Sequence, residues 1–183
     1  ENELVNAVAT STLIDDRPSA FRYPRGDGLG VKISKYPAPW EIGKGRIIQE
    51  GSKVCILSLG TRLEESLQAA NNLASYGLST TVADARFAKP IDTELLENLW
   101  NKHQKLIIIE EGSAGGFSSH CLHFLSSKDL LNKNDKEIKC LTMPDNFQDH
   151  ASQNEQLAKA GLDTDGLMKV VSKMISLSNA KNR

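Results

Sequence analysis

The sequence predicts an α/β fold, a three-layer α/β/α sandwich with a mostly parallel sheet and one antiparallel edge strand. Three observations predict it. From Gly45 onward, short apolar, β-branched runs alternate with segments of helical periodicity, the pattern of parallel strands joined by crossover helices. Lys105-Leu106-Ile107-Ile108-Ile109-Glu110 is apolar at consecutive positions, as in a central strand covered on both faces. Gly51-Ser52 stands between two strand-like runs, a hairpin cue that implies the antiparallel edge.

The elements follow in chain order. Glu3 to Ile14 place Leu4, Val5, Val8 and Leu13 near helical spacing, and Arg17-Pro18 breaks the run. Ser19 to Tyr23 reads as a short strand closed by Pro24-Arg25-Gly26-Asp27-Gly28. A Gly- and Pro-bearing stretch then reaches Gly45, the composition of a linker, so residues 1–42 and 43–183 read as separate units. Gly45–Glu50 and Lys53–Leu59 are expected strands. Arg62 to Tyr76 is a helix with Leu63, Leu67, Ala70 and Ala74 as its apolar stripe and Gly77 as its C-cap. Thr80 to Asp84 is a strand, and Asp92 caps a helix over Thr93 to Lys102. The Lys105–Glu110 strand and a helix near Phe117 to Ser126 come next. The polar stretch Asp129 to Glu137 is expected to be an exposed loop. Lys136 to Leu141 gives the last strand. Helices near Asn154 to Ala160 and Asp165 to Ser176 finish the chain.

The net charge of −1 over 183 residues supplies no basic field for nucleic acid, and Lys53, Lys102 and Lys105 are scattered among acids. No run approaches the roughly 20 apolar residues needed to span a bilayer. Mean hydropathy is −0.35. Cys55, Cys121 and Cys140 are odd in number and widely spaced, which suits reduced thiols in a reducing cytoplasm better than a disulfide framework or a zinc motif. The chain begins at Glu1, already inside a helix-like pattern, and so reads as a piece of a longer polypeptide.

Ligands of open α/β sheets gather at the carboxyl ends of strands. Three junctions fall there: Gly60-Thr61-Arg62, Asp84 to Lys89, and Glu110 to Ser119. The Gly-rich third junction opens a helix, which makes either an anion site or a tight turn packed closely around Gly115 and Gly116. Glu110-Glu111 can act as bases or bond nearby amides. His120 and His123 are three apart, but nothing completes a metal set at ligand spacing. His150 follows Pro144-Asp145 in a loop from which it either reaches an active site or packs. Arg22 leads into a Pro-Gly turn where a guanidinium fork can meet a phosphate, or else a surface acid. No nucleophile stands with a base.

Several motifs in order carry a family resemblance. Asp84-Ala85-Arg86-Phe87-Ala88-Lys89-Pro90-Ile91-Asp92 resembles the strand–loop–helix junction in the C-terminal domain of thiamine-dependent, transketolase-like enzymes. Asp15 to Gly26, containing Arg22-Tyr23-Pro24-Arg25-Gly26, resembles the end of the pyrimidine-binding domain of deoxyxylulose-phosphate synthases. Ile42-Gly43-Lys44-Gly45, Leu59-Gly60-Thr61, Glu110-Glu111-Gly112, Gly115-Gly116-Phe117, Pro144-Asp145 with His150, and Ala160-Gly161-Leu162-Asp163 match in order. The chain departs from the pattern at Ser118 and Ala151, where Gly is usual.

The resemblance implies a transketolase C-terminal domain over 43–183 and the end of the pyrimidine-binding domain over 1–42. It implies a bacterial, cytoplasmic transferase, a homodimer, that joins pyruvate to glyceraldehyde 3-phosphate with loss of carbon dioxide. That reaction feeds isoprenoid (terpenoid), thiamine and pyridoxal synthesis. Thiamine diphosphate and magnesium are the implied cofactors, held mostly by residues outside this chain, so this stretch alone is expected to be inactive. By position Arg22 is implied to grip the acceptor's phosphate, with Arg25 a weaker candidate. The alternatives are the beta subunit of a 2-oxo acid dehydrogenase and a non-catalytic α/β assembly module.

Overall fold

A computed structural model describes residues 1–132 and 135–181, with side chains as far as Ile175. Five strands form one sheet: β1 (Arg46–Gln49), β2 (Val54–Leu59), β3 (Thr80–Asp84), β4 (Lys105–Ser113) and β5 (Glu137–Met143). Their order is β1-β3-β2-β4-β5, with β1 antiparallel to β3 and all other pairs parallel. The helices are α1 (Asn2–Ser11), α2 (Leu63–Ala74), α3 (Thr93–Lys102), α4 (Phe117–Ser127), α5 (Gln153–Ala160) and α6 (Thr164–Lys181). Part of the expected loop from Asp129 to Glu137 forms a 3-10 turn over Leu130–Asn132; residues 133 and 134 lie outside the described residues.

The period-2 alternation of the strands sorts side chains onto two faces. Cys55, Leu57, Ala83, Leu106 and Ile108 pack under α3 and α4, against Leu96, Leu99, Trp100, Cys121 and Leu125. Val54, Ile56, Ile107 and Ile109 pack under α2 and α6, against Ala69, Leu73, Leu167 and Val171. β4 is therefore buried on both sides, as its unbroken apolar run requires.

Three expectations need correction. Gly51-Ser52 is not the turn of a two-stranded hairpin: β1 pairs with β3, and the chain crosses the start of β3 to reach β2. Gly51 makes the crossing possible, because a Cβ there would lie 2.3 Å from the Thr80 carbonyl carbon. Its amide donates to Thr81 Oγ1 at 2.9 Å. The buried face of α2 is Ser66, Ala69, Ala70 and Leu73; Leu63 and Leu67 flank it and Ala74 is exposed. No strand forms over Ser19 to Tyr23, which is exposed and pairs with none of the five strands.

The linker composition of residues 28–42 hides a regular device. Asn2, Asn6 and Thr10 lie one turn apart on one face of α1. They accept from the amides of Ser34 (2.7 Å), Ala38 (2.8 Å) and Trp40 (2.8 Å), and Asn2 also donates to the Lys32 carbonyl. The segment thus runs alongside α1, its backbone groups satisfied by side chains where no strand is available.

Candidate functional site

At the end of β4, Glu110 is buried at 4% exposure. Its carboxylate accepts from the amides of Phe117 (3.0 Å) and Ser118 (2.8 Å) and from the Ser118 hydroxyl (2.8 Å). Gly112 and Gly116 make room for it: a Cβ at either would stand 2.7 or 2.6 Å from Glu110 Oε2. The N-terminus of α4 is thus an anion site already filled by the chain's own carboxylate. The glycines of the third junction serve close packing around that carboxylate. Ser118 is buried and used, its hydroxyl anchoring Glu110. Ala151 is half-buried, and nothing in the structure explains its place there.

Glu111 turns the other way. It accepts from Thr61 Oγ1 and, at 3.4 Å, from Gln153 Nε2, and lies 3.7 Å from Arg62 Nε. Arg62 is buried, ion-paired with Glu65 at 2.8 Å and bonded to the Leu162 carbonyl at 3.5 Å. This network ties the ends of β2 and β4 to the start of α5.

At the end of β3, Asp84 is buried beside two guanidiniums. Arg46 Nε is 3.2 Å away, and the Arg86 amide donates to Asp84 Oδ1 at 3.1 Å. Burial raises the Asp84 carboxyl above its ordinary value, with Arg46 and the Arg86 amide opposing it. Arg86 takes a left-handed backbone, φ +56°, which turns its side chain toward α1. There Glu3 accepts from Arg86 Nε at 2.9 Å and is ion-paired with Arg46, whose Nη2 lies 3.1 Å away. The Trp40 ring lies over the Arg86 guanidinium at 5.0 Å and packs edge-on against Phe87. Asp92 caps α3 as expected, accepting from Leu95 N at 2.9 Å, and also from Gly45 N at 3.0 Å.

Arg22 and Arg25 are exposed, and among the described residues neither is ion-paired with an acid. Their turn ends at Gly26, where a Cβ would stand 3.3 Å from Gln153 Oε1. His150 is exposed, three residues before Gln153. The Arg22–Gly26 turn and the loop after β5 therefore meet at the start of α5, next to the Glu111 network. His120 and His123 are exposed on α4. Among the described residues no group of three His, Cys, Asp or Glu side chains could hold a metal ion. With the α4 amides taken by Glu110, these residues do not fit a diphosphate–metal site. Among the described residues no helix is long and apolar enough to cross a membrane.

Sequence reasoning missed Glu3 and Gln153. The Ser152–Glu155 capping box, an S-x-x-E pattern, marks the start of α5 and is formed. Glu3 carries no such signal, since its partners lie more than 40 positions away.

The model of the transketolase C-terminal domain family matches residues 43–167. The chain belongs to this family. A solved structure of a split-gene transketolase, an inactive beta4 tetramer, superposes with a TM-score of 0.67 at 27% identity. The match covers 77% of this chain and 45% of that one, so this chain spans less than half the length of its structural relative. The transketolase-type domain accounts for the mostly parallel sheet with one antiparallel strand. Transketolase-family enzymes use thiamine diphosphate, and the chain is related to them.

Proposed function

We propose that this chain is the C-terminal part of a thiamine-diphosphate-dependent synthase. It condenses pyruvate with D-glyceraldehyde 3-phosphate, releasing carbon dioxide and forming 1-deoxy-D-xylulose 5-phosphate. Residues 1–42 close the pyrimidine-binding domain and 43–183 form the C-terminal domain. The observation that carries the proposal is the seating of the Arg22-Tyr23-Pro24-Arg25-Gly26 turn against Gln153, at the carboxyl edge of the sheet. Arg22 and Arg25 have no acid partner among the described residues and are free to meet a dianion. Arg22 binds the acceptor's phosphate, Arg25 assists more weakly, and His150 stands on the neighbouring loop. Thiamine diphosphate and magnesium are held mostly by residues outside this chain, which supplies the acceptor end of the cleft. The product feeds isoprenoid, thiamine and pyridoxal synthesis, and the complete enzyme is a homodimer of the bacterial cytoplasm.

A bidentate guanidinium–phosphate contact contributes roughly 2–4 kcal/mol when partly desolvated. Arg22→Ala in the complete enzyme should lower kcat/KM for glyceraldehyde 3-phosphate by about 30- to 1000-fold, and hardly change turnover of unphosphorylated glyceraldehyde. Arg22→Lys recovers part of the loss, because a point charge lacks the fork. Equal losses on both acceptors would make Arg22 structural and remove this support.

A second reading is favoured by the split-gene relative: a transketolase-type subunit that needs a separate chain. The tetramer of that relative supports a multi-chain assembly. The donor distinguishes the two. The synthase takes pyruvate, and a transketolase takes a ketose.

A further inference from the structure

The Arg22–Gly26 turn belongs to a long excursion of the chain with both ends on α1. The chain leaves α1 after Ser11 and returns at Gly28, where a Cβ would stand 2.3 Å from Glu1 Oε1. The Gly30 amide donates to the same carboxylate at 2.6 Å and holds it below its ordinary value. From there the chain follows α1 through Asn2, Asn6 and Thr10. Where α1 sits therefore decides where the turn sits.

Little apolar surface decides that placement. Neither core cluster contains a described residue before Ile47, so α1 adds nothing to either. Leu4 and Val8 of α1 are 38% and 39% exposed. Polar and aromatic contacts attach residues 1–42 to the sandwich. Glu3 meets Arg46 and Arg86, Trp40 covers Arg86 and packs on Phe87, and Gly26 faces the Gln153 side chain, where a Cβ would stand 3.3 Å from Oε1. Of these, Glu3 alone joins α1 itself to the end of β3. Its carboxylate bridges two guanidiniums, with contacts at 2.9, 3.1 and 3.4 Å. Arg86 is held ready for it by the Asp84 carboxylate and the Trp40 ring.

We propose that Glu3 is a positioning residue: by clamping α1 to Arg46 and Arg86 it sets where the Arg22–Gly26 turn stands at the carboxyl edge of the sheet. The clamp stands on the geometry above; its consequence for the acceptor rests on the phosphate role of Arg22 proposed above. Removing the charge with Glu3→Gln leaves a side chain of the same shape that cannot bridge two cations. Glu3→Asp keeps the charge but shortens the reach.

Two measurements test the proposal. The first needs no activity. The chain has two tryptophans, and Trp100 is buried at 2% exposure. Acrylamide quenching of the 183-residue chain therefore reports chiefly on Trp40. Glu3→Gln should raise the quenching constant about two-fold or more, as the Trp40 ring loses its seat on Arg86. The main melting transition should move by less than about 2 °C, because the core clusters are untouched.

The second is kinetic, in the holoenzyme. Glu3→Gln should raise KM for glyceraldehyde 3-phosphate by roughly 3- to 30-fold with kcat nearly unchanged. Constants for unphosphorylated glyceraldehyde should stay put, and Glu3→Asp should recover part of the loss. Unchanged quenching overturns the clamp, whatever the kinetics. Increased quenching with equal effects on both acceptors overturns the positioning role. Arg22→Ala measured alongside separates the causes: if it too affects both acceptors equally, the phosphate role of Arg22 is what fails.

Discussion

Gly116→Ala tests whether the Gly-rich junction is built around Glu110. A methyl at Gly116 would stand 2.6 Å from Glu110 Oε2 and 3.2 Å from its Cδ. A long flexible acid could swing away, but Glu110 is buried and fixed by two amides and a hydroxyl. Moving it breaks one or two hydrogen bonds to a charged acceptor and leaves α4 amides unsatisfied, a cost of about 3–5 kcal/mol. Gly115 is the control. Its φ of +97° strains any Cβ, yet no atom lies within 4 Å of one, so Gly115→Ala should cost about 1–2 kcal/mol. Urea unfolding with linear extrapolation measures both. In a Glu110→Ala background the clash has no partner, and Gly116→Ala should cost less than about 1 kcal/mol. Equal costs for the two alanines, or an undiminished cost in that background, would refute the account of the junction.

Three further outcomes are expected. Asp92→Ala removes acceptors for Leu95 N and Gly45 N and should destabilise by about 2 kcal/mol in the same urea assay; a loss under about 0.5 kcal/mol would contradict the double role. Burial raises the folded-state carboxyl of Asp84 above 3.8, so the folded chain holds that proton more tightly than the unfolded one. Its contribution to stability is present below the unfolded value and lost as pH rises through the raised one. Relative to the wild type, Asp84→Asn should therefore gain stability over that climb, and a flat or opposite difference would mean that Arg46 and Arg86 outweigh burial. Burial pushes the Cys121 thiol up to about 12 and Cys55 higher still. Ellman's reagent at about pH 8 should leave both untouched in the native chain and titrate them in urea, and rapid native reaction of either would contradict the packing.

The periodic signals were legible in the sequence because their causes are local. The apolar run at Leu106–Ile109 placed β4 inside the sheet, between β2 and β5, where both of its faces are covered. Asp92 and the segments of β3, α3 and α6 could be read from capping chemistry and spacing, whereas α2 is capped at Ser75, two residues before the expected Gly77. The ordered motifs pointed to the transketolase C-terminal domain that residues 43–167 match. Strand partners were not legible. β1 and β2 are adjacent in sequence with a turn dipeptide between them, yet β3 lies between them in space. Only the packing of the full sheet decides that a glycine crosses a strand end in place of turning a hairpin. The same limit hid the clamp. Glu3, Trp40, Arg46, Asp84 and Arg86 are scattered along the chain, and no spacing rule joins an acid on α1 to two arginines and an aspartate beyond it. Side-chain periodicity is written in neighbouring positions, whereas charge pairing at a buried edge depends on which elements the fold brings together.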